Sequence, residues 1–162
     1  MAEEQAIIPY DDPQRPQKIA GGLLQCAADA KPFQASSFDP STPEGGIMLV
    51  KATLMPCIPL KEMIGKHIDV AHFYAHVAGT VDSDGEFDEF TRIVLFDGSG
   101  QAYQCAARGV AKSLAVLAYA RGSLHFNPPI KCEVKLLQLK GTKQWLTLIP
   151  DLDSLGAKAR KR

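Results

Sequence analysis

From Ile68 the chain alternates: Ala71, Phe73, Ala75, Val77 and Val81 are apolar, and His72, Tyr74, His76 and Thr80 fall between them. A period of two predicts a long strand with one core face and one polar-aromatic face. The charged stretch DSDGEFDE separates it from FTRIVLF, a run of β-formers that predicts a second strand. Asp97-Gly98-Ser99-Gly100 then turns the chain onto QAYQCAA, since Asp-Gly and Ser-Gly accept the positive φ of tight hairpins. In GVAKSLAVLAYARG the apolar positions become Val110, Leu114 and Leu117, with Ala118 beside them, the spacing of an amphipathic helix ended by Gly122. Alternation returns in IKCEVKLLQL, where Ile130, Cys132, Val134 and Leu136 oppose Lys131, Glu133 and Lys135. A KGTK turn leads to a last strand, QWLTLI.

Three strands, a helix and two strands within about 85 residues is the order of an OB-fold. The expected fold is therefore mainly β, a five-stranded OB-fold-like Greek-key barrel with one helix between strands three and four. An unrelated α+β sandwich is the competing reading. A βαβ nucleotide-binding unit is disfavoured, because no Gly-rich phosphate loop joins a strand to a helix. Ahead of the barrel, residues 1–46 hold six prolines and the pairs Gly21-Gly22 and Gly45-Gly46, which predicts an irregular N-terminal arm. Within it IAGGLLQCAADA is apolar enough to dock on the domain or on a neighbouring subunit. The run from Gly46 to Met55 has β-type composition; Pro56 and Pro59 break it, and a short helical turn is expected near Lys61–Ile64. The expected organisation is an arm at 1–46, a nucleic-acid-binding domain at 47–150 and a basic tail at 151–162.

Charge changes this picture by its distribution, not its sum. The formal net charge is +0, yet residues 1–50 hold seven acids and three bases, and from Gln101 to Ile149 the only acid is Glu133, set against seven bases. The polar faces left outside the core carry His72, Tyr74 and His76, then Arg92, Tyr103 or Gln104, Lys131, Lys135, Lys143 and Trp145. Rings interleaved with bases suit single-stranded nucleic acid: bases stack on the rings, and the cations neutralise phosphates with release of counterions. His72 and His76 share a face, but no third ligand is in register, so no metal is expected. Nor is another cofactor expected. DSDGEFDE fails as a calcium loop, since Thr80 and Thr91 fall where acids belong. The chain lacks GxSxG, Walker and HExxH motifs, and no catalytic residue is assigned. Four dispersed cysteines without a CxxC pair read as reduced thiols of a cytoplasmic protein, and no apolar run reaches membrane-span length.

Three stretches carry a resemblance: MPCIPLKEMIGKHIDVAHFYAHVAG, RIVLFDGSGQAYQCAARGVAKSL and NPPIKCEVKLLQLKGTKQWLTLIP. Together they resemble the small OB-fold single-stranded DNA-binding proteins encoded by phages and mobile elements. The resemblance covers about residues 48–150 and rests on order and flavour: an Asp-Gly strand end, a Tyr-containing strand, a G-x-A-K-S-L helix start and a basic strand before an aromatic-aliphatic one. It implies that Tyr103, Arg108, Gly109 and Lys112 lie near nucleic acid at the helix entrance, and that Lys135 and Trp145 sit on the last hairpin. It also implies a role in DNA replication or recombination in a bacterial host cytoplasm. Single-stranded DNA is the expected partner, alongside replication proteins and further copies of the chain. The alternative is an assembly module that oligomerises through the arm.

Overall fold

The computed structural model describes residues 12–29, 33–138, 141 and 144–155. The strands expected from the alternating patterns form, as β3 (His67–Val81), β4 (Phe87–Asp97), β5 (Ala102–Cys105), β6 (Ile130–Gln138) and β7 (Gln144–Pro150), and α3 (Arg108–Arg121) lies between β5 and β6. Two short strands join them, β1 (Ala35–Ser36) and β2 (Ile58–Pro59). All belong to one mixed sheet of order β2-β5-β4-β3-β6-β7, with β1 also paired to β3 and β2 running parallel to β5. The fold is thus mainly β, a curled mixed sheet with four α-helices among the described residues. Its central order β6-β3-β4-β5 is that of a Greek key, in which three hairpin-linked strands are joined by a fourth returning beside the first.

The bend of β3 makes the curl. Residues 67–70 pair with β6 and 70–81 with β4, and the register shifts between Val70 and His72. One extra residue moves the inward phase from Ile68 and Val70 to Phe73 and Ala75, all buried. The concave side holds the main core, where those residues meet Ile93, Leu95, Val110, Leu114, Ile130, Val134 and Leu148. At β7, Ser113 of α3 accepts the Leu148 N–H at 3.1 Å and bonds Thr147 Oγ1 at 2.6 Å, so the helix satisfies an outward amide of the last strand. This close approach needs Gly109: a Cβ there would lie 2.3 Å from the Leu146 carbonyl oxygen and 3.2 Å from the Trp145 ring.

Two expectations are overturned. Within the described part of the irregular arm stands a helix, α1 (Arg15–Asp29), whose Ile19, Ala20, Leu23, Cys26 and Ala27 are buried in the main core. Its proline, Pro16, lies in the first turn, where a missing N–H costs nothing, and Gly22 is where a side chain would strike the Phe33 ring. IAGGLLQCAADA therefore docks on its own chain, packing mainly against α3. The expected β segment before Met55 is also a helix, α2 (Pro43–Leu54). Thr42 caps it by accepting the Gly45 N–H at 3.0 Å, Pro43 fits its first turn, and Glu44 and Lys51 complement the helix dipole. The helical turn expected near Lys61–Ile64 forms as a 3-10 turn at Leu60–Met63. The single expected helix is therefore one of four, the last being a turn at Leu152–Leu155. No described helix is long and apolar enough to cross a membrane.

Candidate nucleic-acid interface

The residues singled out from the sequence separate into two groups at different parts of the sheet. The first surrounds His72, Tyr74 and His76, which share the convex face of β3 with Arg92, Val94 and Phe96 of β4. This face was expected to be open; instead Phe38 and α2 cover it. Phe38, Ala52, Val94, Phe96 and Ala102 form a second core, with Met48, Leu49, Cys57 and Tyr74 packed against it. Phe38 meets the Tyr74 ring at a 6.1 Å centroid distance, and Tyr74 stacks on His76 at 5.1 Å and 18°. His72 meets Phe38 and His125 edge-on, so the rings of His72, Tyr74 and His76 are all engaged with other rings of the fold. Burial, with His125 at a 4.5 Å centroid distance, pushes the His72 imidazole down to about 4; burial and then Arg92 push His76 down.

The arginines in the set are also committed. Arg92 donates through Nε and Nη2 to Gln104 Oε1 at 2.9 and 2.6 Å and through Nη1 to the Ala52 carbonyl at 2.6 Å, near the end of α2. His76 Nε2 lies 3.1 Å from the same Nη1. Arg108 donates to the Ala27 and Ala28 carbonyls at 2.8 and 2.7 Å, closing the end of α1. Arg92 and Arg108 thus brace one element against another. Tyr103 faces the main core, 7% exposed, with its hydroxyl 3.4 Å from Asp97 Oδ2, and is no stacking platform.

The second group is free. Lys131 and Lys135 alternate on the solvent face of β6, and cross-strand pairing sets Lys135 opposite Thr147 and Leu137 opposite Trp145 of β7. Lys131, Lys135, Leu137, Trp145 and Thr147 therefore share one face of the hairpin. Lys112 follows Gly109 by three on α3, one helical turn along from the Trp145 contact. Lys112, Lys131 and Lys135 are exposed and make no side-chain hydrogen bond or ion pair among the described residues. Trp145 is half-buried, its six-membered ring lying against Gly109. Glu133 lies between the two β6 lysines on the same face. Lys143 and the basic tail beyond Leu155 lie outside the described residues.

Sequence reasoning missed Tyr119, 51% exposed on the outer stripe of α3 that also carries Lys112 and Val116. The helical spacing 112, 116, 119 was the available signal. The meeting of His125 with His72 crosses the fold, and local spacing gave no reason to pair them. Burial pushes the Cys105 and Cys132 thiols up to about 11 and about 12, which keeps both protonated. Among the described residues no group of three His, Cys, Asp or Glu is placed to hold a metal ion. No protein-family model, curated protein or solved structure matches this chain.

Proposed function

We propose that the protein is a non-catalytic OB-fold binder of single-stranded DNA with slight sequence preference, holding strands during replication or recombination. One observation carries this reading: Lys135 lies one diagonal position from Trp145 on the β6–β7 hairpin, Lys131 continues the same face further along β6, and α3 sets Lys112 one turn from the Gly109 that Trp145 touches. The Greek-key order with its helix between β5 and β6 supports the OB-fold part. A base stacked on Trp145 contributes about 1–3 kcal/mol, and each lysine that meets a phosphate releases a counterion. Ring stacking reads no base edge, so this face alone discriminates little between sequences.

Trp145, the one tryptophan in the chain, is its own reporter. Titration with oligothymidine should quench its fluorescence, and the binding should weaken steeply as salt rises. Changing Lys112, Lys131 and Lys135 together to Ala should lower the salt slope by about 2, the value for three contacts to a single strand. An unchanged affinity and slope would remove this face from consideration. A second reading, self-assembly, is favoured by the outward stripe of α2, where Ile47, Val50 and Leu54 are exposed at 59%, 46% and 79%. A concentration-dependent dimer in sedimentation velocity that Leu54→Lys abolishes would support it; a monomer at all concentrations would dismiss it.

A further inference from the structure

At the end of the sheet where β4 turns into β5, a cleft of about 640 Å³ opens between the first half of α2 and the segment leading into β6. That is the size of a small-molecule site. Ile47 and Met48 of α2 form one wall, the His72 and His125 rings meet within it at 76°, and Phe96 and Phe126, each 1% exposed, lie behind them. Two carboxylates converge on this apolar space. Glu44 stands in the first turn of α2, and Asp97 sits at the Asp-Gly turn. Asp97 Oδ1 is saturated by Ser99 N, Ser99 Oγ and Gln101 N at 2.9, 2.7 and 2.9 Å. Its Oδ2 has only the long 3.4 Å contact to Tyr103 among the described residues, so it retains accepting capacity.

The lining itself contains no lysine or arginine, and the cation at its edge, Lys51 Nζ, is held on the Gly100 carbonyl at 3.4 Å. Burial raises the Asp97 carboxyl and the hydrogen bonds from Ser99 and Gln101 more than offset it, so the group is ionised at neutral pH. His72, held neutral there, has its Nδ1 bonded to Ser37 Oγ at 3.1 Å, which leaves Nε2 as the ring nitrogen a ligand could meet without charge. A phosphate in this space would face the Asp97 and Glu44 carboxylates. A flat heteroaromatic ring with N–H donors on its edge finds the two imidazoles, the Ile47–Met48 wall and carboxylate acceptors.

We infer that this cleft takes a nucleobase bearing an exocyclic amino group, of the cytosine or adenine kind, with the ring against the apolar walls and the amino edge toward Asp97 and Glu44. The inference rests on the single-strand reading for the source of the base: β6 begins at Ile130, one residue past the cleft residue Pro129, so a strand crossing Lys131 passes its mouth. A free nucleoside has the same chemistry and would fit the same walls. Thymine, which lacks an exocyclic amine, is discriminated against.

The test compares oligodeoxycytidine with oligothymidine of equal length on the full chain. In parallel, the ring signals of His72 and His125 are followed by NMR as free cytidine or thymidine is added. Gly98→Leu is the plugging variant: Gly98 does not have positive φ, and its added Cβ would make only a 3.4 Å contact with Pro129. Glu44→Gln removes one carboxylate at an exposed position. Oligodeoxycytidine should bind at least about fivefold more tightly than oligothymidine, the low end of what one base contact supplies. Gly98→Leu should erase that preference without changing the oligothymidine affinity, Glu44→Gln should reduce it, and cytidine alone should move the histidine signals. Equal binding of the two oligomers with unmoved histidines overturns the cleft and leaves the single-strand reading standing. If no oligomer binds but cytidine moves the histidines of the wild type and not of Gly98→Leu, the strand reading falls and the cleft stands as a nucleoside site. Silence in both arms overturns both.

Discussion

Arg92 shows how far a residue's role depends on what covers it. On an open strand it would be a phosphate ligand; beneath α2 its guanidinium joins the Ala52 carbonyl, Gln104 and His76. Arg92→Ala should therefore lower stability by about 2–3 kcal/mol in denaturant unfolding, since it leaves partly buried acceptors without their charged donor. Its effect on oligothymidine affinity should be small wherever the protein is still folded. His72 adds a pH dependence with a definite sign. Its folded value of about 4 lies below the unfolded value near 6.5, so the unfolded chain binds more protons between them. Its contribution is complete above about pH 6.5 and is lost as pH falls through the folded value of about 4. For a half-buried ring, screening by solvent reduces the effect to about 1–2 kcal/mol. Melting temperatures between pH 7 and 4 should fall in the wild type and fall less in His72→Gln.

Among the elements, β3 to β7 and α3 were legible because each buries one face, so alternation or helical spacing stands out against the other. β4 contained a warning that was not used. Ile93, Val94, Leu95 and Phe96 are consecutive apolar residues, and a strand of that kind needs cover on both sides. The cover is α2, hidden by a β-like composition although Thr42-Pro43-Glu44 is a helix start. α1 was hidden by its prolines and glycines, which mark a first turn and a close contact instead of breaks, while Ile19, Leu23 and Cys26 keep helical spacing. Leu23 is wholly buried, so Leu23→Ala should cost about 2–5 kcal/mol by chemical denaturation. Removal of residues 1–46 should expose both cores and yield an unfolded or aggregated chain, not a trimmed binder. Retention of a cooperative melt by that truncation would contradict the packing of α1 and α2 described above.

At the scale of the molecule, the fold order could be read because a Greek key is written in the succession of its elements. The candidate interface could be read only in part. Lys131, Lys135 and Trp145 declare themselves by alternation, whereas the choice between the two surfaces depends on a helix laid across one of them. The lysines and arginines also divide the positive charge between two tasks. Each arginine among the described residues, Arg15, Arg92, Arg108 and Arg121, donates to a main-chain carbonyl of another segment, while Lys112, Lys131 and Lys135 face solvent. Reagents that distinguish an amine from a guanidine should therefore act on different properties of one molecule. Acetylation of lysines with a water-soluble ester should abolish oligothymidine binding and leave the near-ultraviolet circular dichroism intact. Peptide mapping of phenylglyoxal adducts should show Arg92 modified slowly until the chain opens, so uptake at that one site is a clock for unfolding, and a chain stripped of its amine charge would still keep the time.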